Sequence, residues 1–235
     1  MGSATQVLAM HMSDGLVNAP TAAGFGLVAV VGLAIAVHRA RADLDDRSAP
    51  MAGLVTAFVF AVQMINFPIL PGASGHLLGG ALVAILVGPW VGSLCIAIVL
   101  VVQALLFADG GLTALGTNIV NMALIGVFAG HAVATALRPF ARRSRNGLVA
   151  TAFVAALVNT VVAALAFVLE YAIGGAGGAS LGTVITLMLG LHVLIGIGEG
   201  IITAATVGAV AAARPDLVYL LRGHAAPLEV RGNAA

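Results

Sequence analysis

Two histidines in the first third of the chain have the neighbours and the chemistry that a metal site needs. His11 lies in the run Met10-His11-Met12-Ser13-Asp14-Gly15, and His76 follows the run Gly72-Ala73-Ser74-Gly75. If the mature chain begins at Met10, its α-amine, the His11 backbone nitrogen and the His11 imidazole can close two fused chelate rings, and His76 can supply a fourth nitrogen. Four nitrogens in a plane suit Ni(II) or Cu(II). The alternative is that each histidine is an ordinary amphipathic side chain at a membrane interface.

Residues 1–9 decide whether this chelate can form. With these residues attached, the backbone nitrogen of His11 cannot share a chelate with a terminal amine. The segment carries no basic residue and is too short for a secretory signal, which needs a charged region followed by an apolar one. We therefore expect residues 1–9 to be absent from the mature protein, through initiation at Met10 or through processing.

The composition indicates a membrane protein. Apolar residues make up 61% of the 235 residues and charged residues only 8%, whereas a soluble domain is about 25% charged. Each long apolar run is expected to be a helix, because a segment in lipid must satisfy its own backbone hydrogen bonds. The sequence predicts an all-α integral membrane protein of about seven transmembrane helices, near residues 20–38, 50–67, 76–88, 89–107, 116–137, 147–172 and 181–213.

The basic residues indicate how the helices are oriented. All ten are arginines, and they fall in the connections after the first, fifth and seventh predicted helices: Arg39, Arg41, Arg47, Arg138, Arg142, Arg143, Arg145, Arg214, Arg222 and Arg231. Lysine and arginine are concentrated in cytoplasmic loops. We therefore expect the N-terminus outside the plasma (inner) membrane, one transmembrane domain over residues 10–215 and a polar cytoplasmic tail at 216–235. A net charge of +1 does not give the positive electrostatic potential that attracts nucleic acid.

Five ordered segments carry a family resemblance. They are Met10-His11-x-x-Asp14-Gly15, the run from Phe58 to Pro68, the run from Ser74 to Leu82, the run from Gln103 to Asn118, and His192-x-Leu194-Ile195-Gly196-Ile197-Gly198-Glu199. Together they resemble the cobalt/nickel substrate-capture (S) components of energy-coupling-factor (ECF) ABC transporters, the CbiM/NikM family. The resemblance spans about residues 10–215.

This resemblance implies a function, a ligand set and partners. The transported substrate would be Ni(II) or Co(II), held at the outer face by Met10 through its amine, by His11 and by His76. The partners would be a transmembrane coupling (T) subunit, cytoplasmic ATPase subunits and a small accessory membrane subunit. The chain would then be a transporter component and not an enzyme.

Further polar residues can support the site or the helix packing. Asp14, Asn66 and Asn118 can orient the ligands by hydrogen bonds, although Asn66 and Asn118 can equally join helices. Asp109 can attract a divalent cation or turn its glycine-rich loop.

Two ionisable residues are expected inside the last helix. Glu199 and His192 are candidate functional groups, because charges inside a membrane are costly. For Glu199, a structural contact with His192 or with the backbone is the favoured alternative.

Two other functions fit parts of the pattern. Gly72-Ala73-Ser74-Gly75 matches the short motif of rhomboid-like intramembrane serine proteases, in which Ser74 would pair with His192. An S component for an organic vitamin is disfavoured, because the sequence shows no aromatic-lined outer pocket and Trp90 is expected at the inner face.

Overall fold

The computed structural model describes residues 11–44, 48–65, 67–70 and 73–222. Nine α-helices occur in these ranges: α1 (Ala19–Ala40), α2 (Ser48–Gln63), α3 (Gly80–Val87), α4 (Pro89–Leu106), α5 (Leu115–Asn118), α6 (Val127–Ala136), α7 (Arg138–Ala141), α8 (Arg145–Gly174) and α9 (Leu181–Ala213). A π-helical stretch, Ile119–Gly126, joins α5 to α6, and two 3₁₀ turns, Pro215–Leu217 and Tyr219–Leu221, follow α9. Met10 and Asn66 lie outside the described residues.

Five of the described helices are long and apolar enough to cross a membrane, which confirms a helical membrane protein. They are Ala19–Ala40, Pro89–Leu106, the continuous helix Leu115–Ala136, Arg145–Gly174 and Leu181–Ala213. The predicted helices near 50–67 and 76–88 correspond to α2, with 16 residues, and α3, with eight. At 1.5 Å per residue these rise about 24 Å and about 12 Å, which is short of the hydrocarbon thickness of about 30 Å.

The connection between α2 and α3 differs from the helical prediction. Helix α2 ends at Gln63, and a short antiparallel hairpin follows, with β1 (Phe67–Leu70) paired to β2 (Ala73–Gly75). The chain then runs through an irregular segment to α3. Gly88 has a φ of +90° and separates α3 from α4, as the Gly88-Pro89 pair predicts. Helix α9 is continuous through its glycines.

Helix α3 forms the centre of the bundle. All eight of its residues are buried, and it packs against α4, α6 and α8. Small residues make this close packing possible. Gly130 of α6, for example, lies so near α3 that a Cβ at this position would be 2.8 Å from the Ala81 Cα.

The two ends of the bundle carry different chemistry. At one end Arg39 lies over Trp90, with its Cζ 5.9 Å from the indole centroid. At the same end Arg138 donates hydrogen bonds to the carbonyls of Leu220 and Arg222, at 3.0 and 2.8 Å. At the opposite end α1 begins, α4 and α8 end, and the Asn18 nitrogen bonds the Gly174 carbonyl at 2.7 Å.

The close approach of α6 to α3 predicts a difference between two glycine-to-alanine variants. Gly130→Ala should destabilise the protein by about 1–3 kcal/mol, since the new methyl group meets backbone that cannot move aside. Gly190→Ala is the control, because nothing lies within 4 Å of a Cβ there, and alanine is favoured over glycine in a helix by about 1 kcal/mol. Thermal unfolding in detergent measures both. Equal melting temperatures would contradict the packing described.

Candidate metal centre

The structure brings His11 and His76 together at the end of the bundle where α1 begins. Their ring centroids are 4.5 Å apart, and the ring planes are tilted by 39°. His11 is 5% exposed and His76 is 1% exposed. Two imidazoles that are distant in sequence are thus in van der Waals contact inside the protein.

Each imidazole uses the same nitrogen for its hydrogen bond. Nδ1 of His11 lies 3.0 Å from Oδ1 of Asp109, and Nδ1 of His76 lies 2.9 Å from the Leu77 carbonyl oxygen. A carbonyl only accepts, so Nδ1 of His76 carries the proton and Nε2 carries the lone pair. None of the described residues hydrogen-bonds either Nε2.

Asp109 lies in the loop between α4 and α5 and is part of this cluster. The hydrogen bond with His11 lowers the pKa of the Asp109 carboxyl, although partial burial opposes this. The residue is therefore an anion beside the two imidazoles. Sequence reasoning left Asp109 between attracting a cation and turning its loop, and its contact with His11 was missed.

Asn118 holds the segment that carries His11. Its Oδ1 accepts a hydrogen bond from the Met12 nitrogen at 2.8 Å, and its Nδ2 donates to the Met12 carbonyl at 3.1 Å. The same carbonyl accepts from the Gly111 nitrogen at 2.8 Å. The amide of Asn118 therefore satisfies both backbone groups of Met12, as a neighbouring strand would.

Two outer loops hold the rest of this segment. Oδ1 of Asp14 accepts hydrogen bonds from the nitrogen and hydroxyl of Thr113, at 2.8 and 2.6 Å, and these bonds lower the pKa of Asp14. On the other side, the Ala176 nitrogen donates to the Leu16 carbonyl at 2.9 Å. A Cβ at Gly111 would overlap the Asp14 backbone nitrogen, so glycine permits this approach.

The predicted supporting residues hold the backbone near the site and not the imidazole rings. Asp14 and Asn118 position the N-terminal segment and bond neither imidazole ring. Within the described ranges, no three His, Cys, Asp or Glu side chains are arranged to hold a metal ion together. The side chains in place are two imidazoles with a carboxylate bonded to one of them.

The two candidate residues of α9 lie deeper and have separate partners. Glu199 accepts hydrogen bonds from the backbone nitrogens of Leu78 and Gly79, so the expected backbone contact is present. His192 instead contacts the Met188 carbonyl through Nδ1. Gln63, which sequence reasoning did not single out, donates to the Leu78 carbonyl at 2.6 Å.

Comparison with known proteins places this architecture among metal transporters. The sequence model of one family, described as a cobalt uptake substrate-specific transmembrane region, matches residues 11–217. The match includes both histidines, Asp109 and all five of the long apolar helices.

Individual relatives agree with the family match. A chain of Archaeoglobus fulgidus provisionally named a fused nickel transport protein is 40% identical over 209 residues, covering 89% of this chain and 68% of its own. A cobalt transport protein of Sorangium cellulosum is 31% identical over 220 residues, covering 91% of this chain and 96% of its own. The crystal structure of a transition metal transporter has a TM-score of 0.79 at 29% identity, covering 91% of this chain and 100% of its own.

Proposed function

The chain belongs to the family of cobalt uptake substrate-specific transmembrane regions, and we propose that it is the substrate-binding subunit of an energy-coupling-factor ABC transporter. It is a multi-pass membrane protein whose transported substrate is Ni(II) or Co(II). The ion would be captured at the outer face. The observation that carries this proposal is the contact of two buried imidazoles, His11 and His76, and the Nε2 of His76 has no partner among the described residues.

The ligands in this proposal are nitrogens. His76 binds through Nε2, because its Nδ1 is held by the Leu77 carbonyl. Hydrogen bonding of the other ring nitrogen is the usual way in which proteins orient a metal-binding imidazole. The remaining nitrogens are the Met10 amine, the His11 backbone nitrogen and the His11 ring. We propose that residues 1–9 are absent from the working protein, so that Met10 provides a free amine.

Chelation by His11 makes a specific demand on its ring. A six-membered ring through the backbone nitrogen, Cα, Cβ and Cγ closes at Nδ1 and cannot reach Nε2. Nδ1 is the atom that contacts Asp109 in the structure. In this mode the ion takes the place of the Asp109 contact at Nδ1, and the Asp109 carboxylate releases the imidazole.

The polarity of the bundle supports the proposed orientation. The described arginines lie at the end formed by the last turn of α1, the α6–α8 connection and the segment after α9, and the imidazole pair lies at the other end. Arginines mark the cytoplasmic side. We propose that α2 and α3 complete seven membrane-crossing segments, with the N-terminus outside and the C-terminus in the cytoplasm.

The partners follow from the role. A capture subunit of this kind works with a transmembrane coupling subunit, cytoplasmic ATPases and a small accessory membrane subunit, which would supply the energy for release inward. We therefore propose that this chain is a transporter component and not an enzyme. The relatives give no support to a protease built on Ser74 and His192 or to a vitamin-binding subunit.

The first prediction from this proposal separates metal capture from proteolysis. His76→Ala should weaken Ni(II) binding by at least about 100-fold. Removing a residue that only hydrogen-bonds a metal ligand already costs about 10- to 100-fold, and His76 is a proposed ligand itself. Ser74→Ala should leave the affinity unchanged. Equilibrium binding of Ni(II), and of Co(II) in competition, to the purified protein in detergent measures both variants. Full affinity in His76→Ala would exclude this site.

The second prediction concerns the atom by which His11 binds. If Nδ1 closes the chelate, Asp109→Asn should keep its Ni(II) affinity, because the carboxylate leaves Nδ1 when the ion binds. If His11 instead bound through Nε2, Asp109 would orient the ring and its loss should weaken binding by about 10- to 100-fold. Titration of wild type and Asp109→Asn with Ni(II) distinguishes the two modes.

The third prediction concerns the amino terminus. N-terminal sequencing of the protein purified from membranes should give Met10 as the first residue. A variant kept at full length by a blocked amine at Met1 should lose the chelate and bind Ni(II) far more weakly. An intact Met1 or Gly2 terminus together with full metal binding would refute the chelate.

A further inference from the structure

Glu199 is one of the most enclosed ionisable groups in the protein, since it is 1% exposed in the middle of α9. Each oxygen of its carboxyl group has two hydrogen-bonding partners. Oε2 accepts from the Leu78 nitrogen at 2.8 Å and lies 2.9 Å from the Thr160 hydroxyl. Oε1 accepts from the Gly79 nitrogen at 3.1 Å and from Nδ2 of Asn159 at 2.9 Å.

Three of these partners are N–H groups, which can only donate to the Glu199 carboxyl. The fourth, the Thr160 hydroxyl, has one hydrogen and two possible acceptors, since the Ala156 carbonyl also lies 2.9 Å from it. The carboxyl group is therefore held mainly by the two backbone nitrogens and by the Asn159 amide.

Two of the four donors belong to the loop that carries His76. The nitrogens of Leu78 and Gly79 point at Glu199, and the carbonyl between them, that of Leu78, accepts from Gln63 at 2.6 Å. Gly79 has a φ of +80°, and a Cβ there would be 2.9 Å from the Val59 methyl groups. The backbone just after His76 is thus fixed in a conformation that only glycine adopts easily.

The other two donors belong to α8. Asn159 and Thr160 are adjacent residues of that helix, and both are buried. The Glu199 carboxylate therefore joins three elements: the loop after His76, α8 and its own helix α9.

We propose that Glu199 is the positioning residue for His76, and that the affinity of the outer site for its ion depends on this carboxylate although it does not bind the ion. The inference rests on the proposed function, because it takes His76 as a ligand. The His76 ring is held by the carbonyl of Leu77 in the same loop, so a shift of the loop moves Nε2 directly. His11 is held separately, through Asp109 and the Asn118 clamp on Met12.

Glu199→Gln tests the role with little change of shape. One oxygen becomes an NH₂ group that must face two donors, one of them a backbone N–H that cannot turn away. The side-chain amide of Asn159 can reverse, since its Oδ1 has no partner among the described residues. The loop contact through Leu78 or Gly79 is lost.

Glu170→Gln provides a matched control. Glu170 is also a buried glutamate, 2% exposed on α8, and it accepts a hydrogen bond from Nδ2 of Asn121 at 2.7 Å. No described contact joins it to the loop that carries His76. The same substitution there should disturb the bundle to a comparable degree without moving the imidazole.

The experiment is a double-mutant cycle with Ni(II) as the probe, on protein that begins at Met10. Glu199→Gln should weaken Ni(II) binding by about tenfold, the effect of losing one buried hydrogen bond, and Glu170→Gln should stay close to wild type. In the His76→Ala background, Glu199→Gln should have no further effect. The ligand-field absorption of the Ni(II)-loaded Glu199→Gln protein should shift toward that of His76→Ala.

The outcomes test the role of Glu199 and the proposed metal site separately. If Glu199→Gln and His76→Ala weaken binding additively, or if Glu199→Gln and Glu170→Gln behave alike, Glu199 acts only on general stability and the inference is overturned. If His76→Ala binds Ni(II) like wild type, the proposed site is wrong whatever Glu199 does. Should Glu199→Gln fail to fold, Thr160→Val removes one of the four polar partners and keeps the carboxyl group. Unchanged affinity and absorption in Thr160→Val would then overturn the inference.

Discussion

Buried hydrogen-bonding groups in a bundle of apolar helices must find partners within the protein, and this constraint shapes the end of the bundle that holds the two imidazoles. Each imidazole of the site is bonded through Nδ1, one to a carboxylate and one to a backbone carbonyl. The lone pair of His76 is thereby directed to Nε2. Pairing Nδ1 of each ring leaves Nε2 without a hydrogen-bonding partner among the described residues.

The same constraint explains why the site is built from segments that are far apart. The N-terminal segment is extended and cannot satisfy its own backbone groups, so the Asn118 amide and the outer loops do so. The loop after His76 is irregular in the middle of the bundle, and the Glu199 carboxylate and Gln63 satisfy its peptide groups. Irregular backbone at this depth is tolerated because buried side chains complete its hydrogen bonds.

The helices could be predicted from sequence, because long apolar runs have one stable form in lipid. The pairing of His11 with His76 could be predicted because both lie beside polar, glycine-containing runs that were expected at the same membrane face. The eight-residue length of α3 could not be predicted, since no polar residue lies between His76 and Val87 to mark where the helix begins. The pairing of β1 with β2 was also missed. The contacts of His11 with Asp109 and of Leu78 with Glu199 join residues 98 and 121 positions apart, and such pairs leave no mark on local patterns. Glu199 was recognised as unusual only because a charge inside a membrane is expensive.

The shortness of α3 has a consequence for the electrical side of ion capture. This helix rises about 12 Å between the loop that carries His76 and the turn beside the arginines, while the hydrocarbon core is about 30 Å thick. In the proposed orientation, a divalent ion bound at His76 has already passed through part of the membrane potential. Each charge that crosses the whole potential gains about 2.3 kcal/mol per 100 mV, so in that orientation an inside-negative voltage would strengthen binding of the ion at His76.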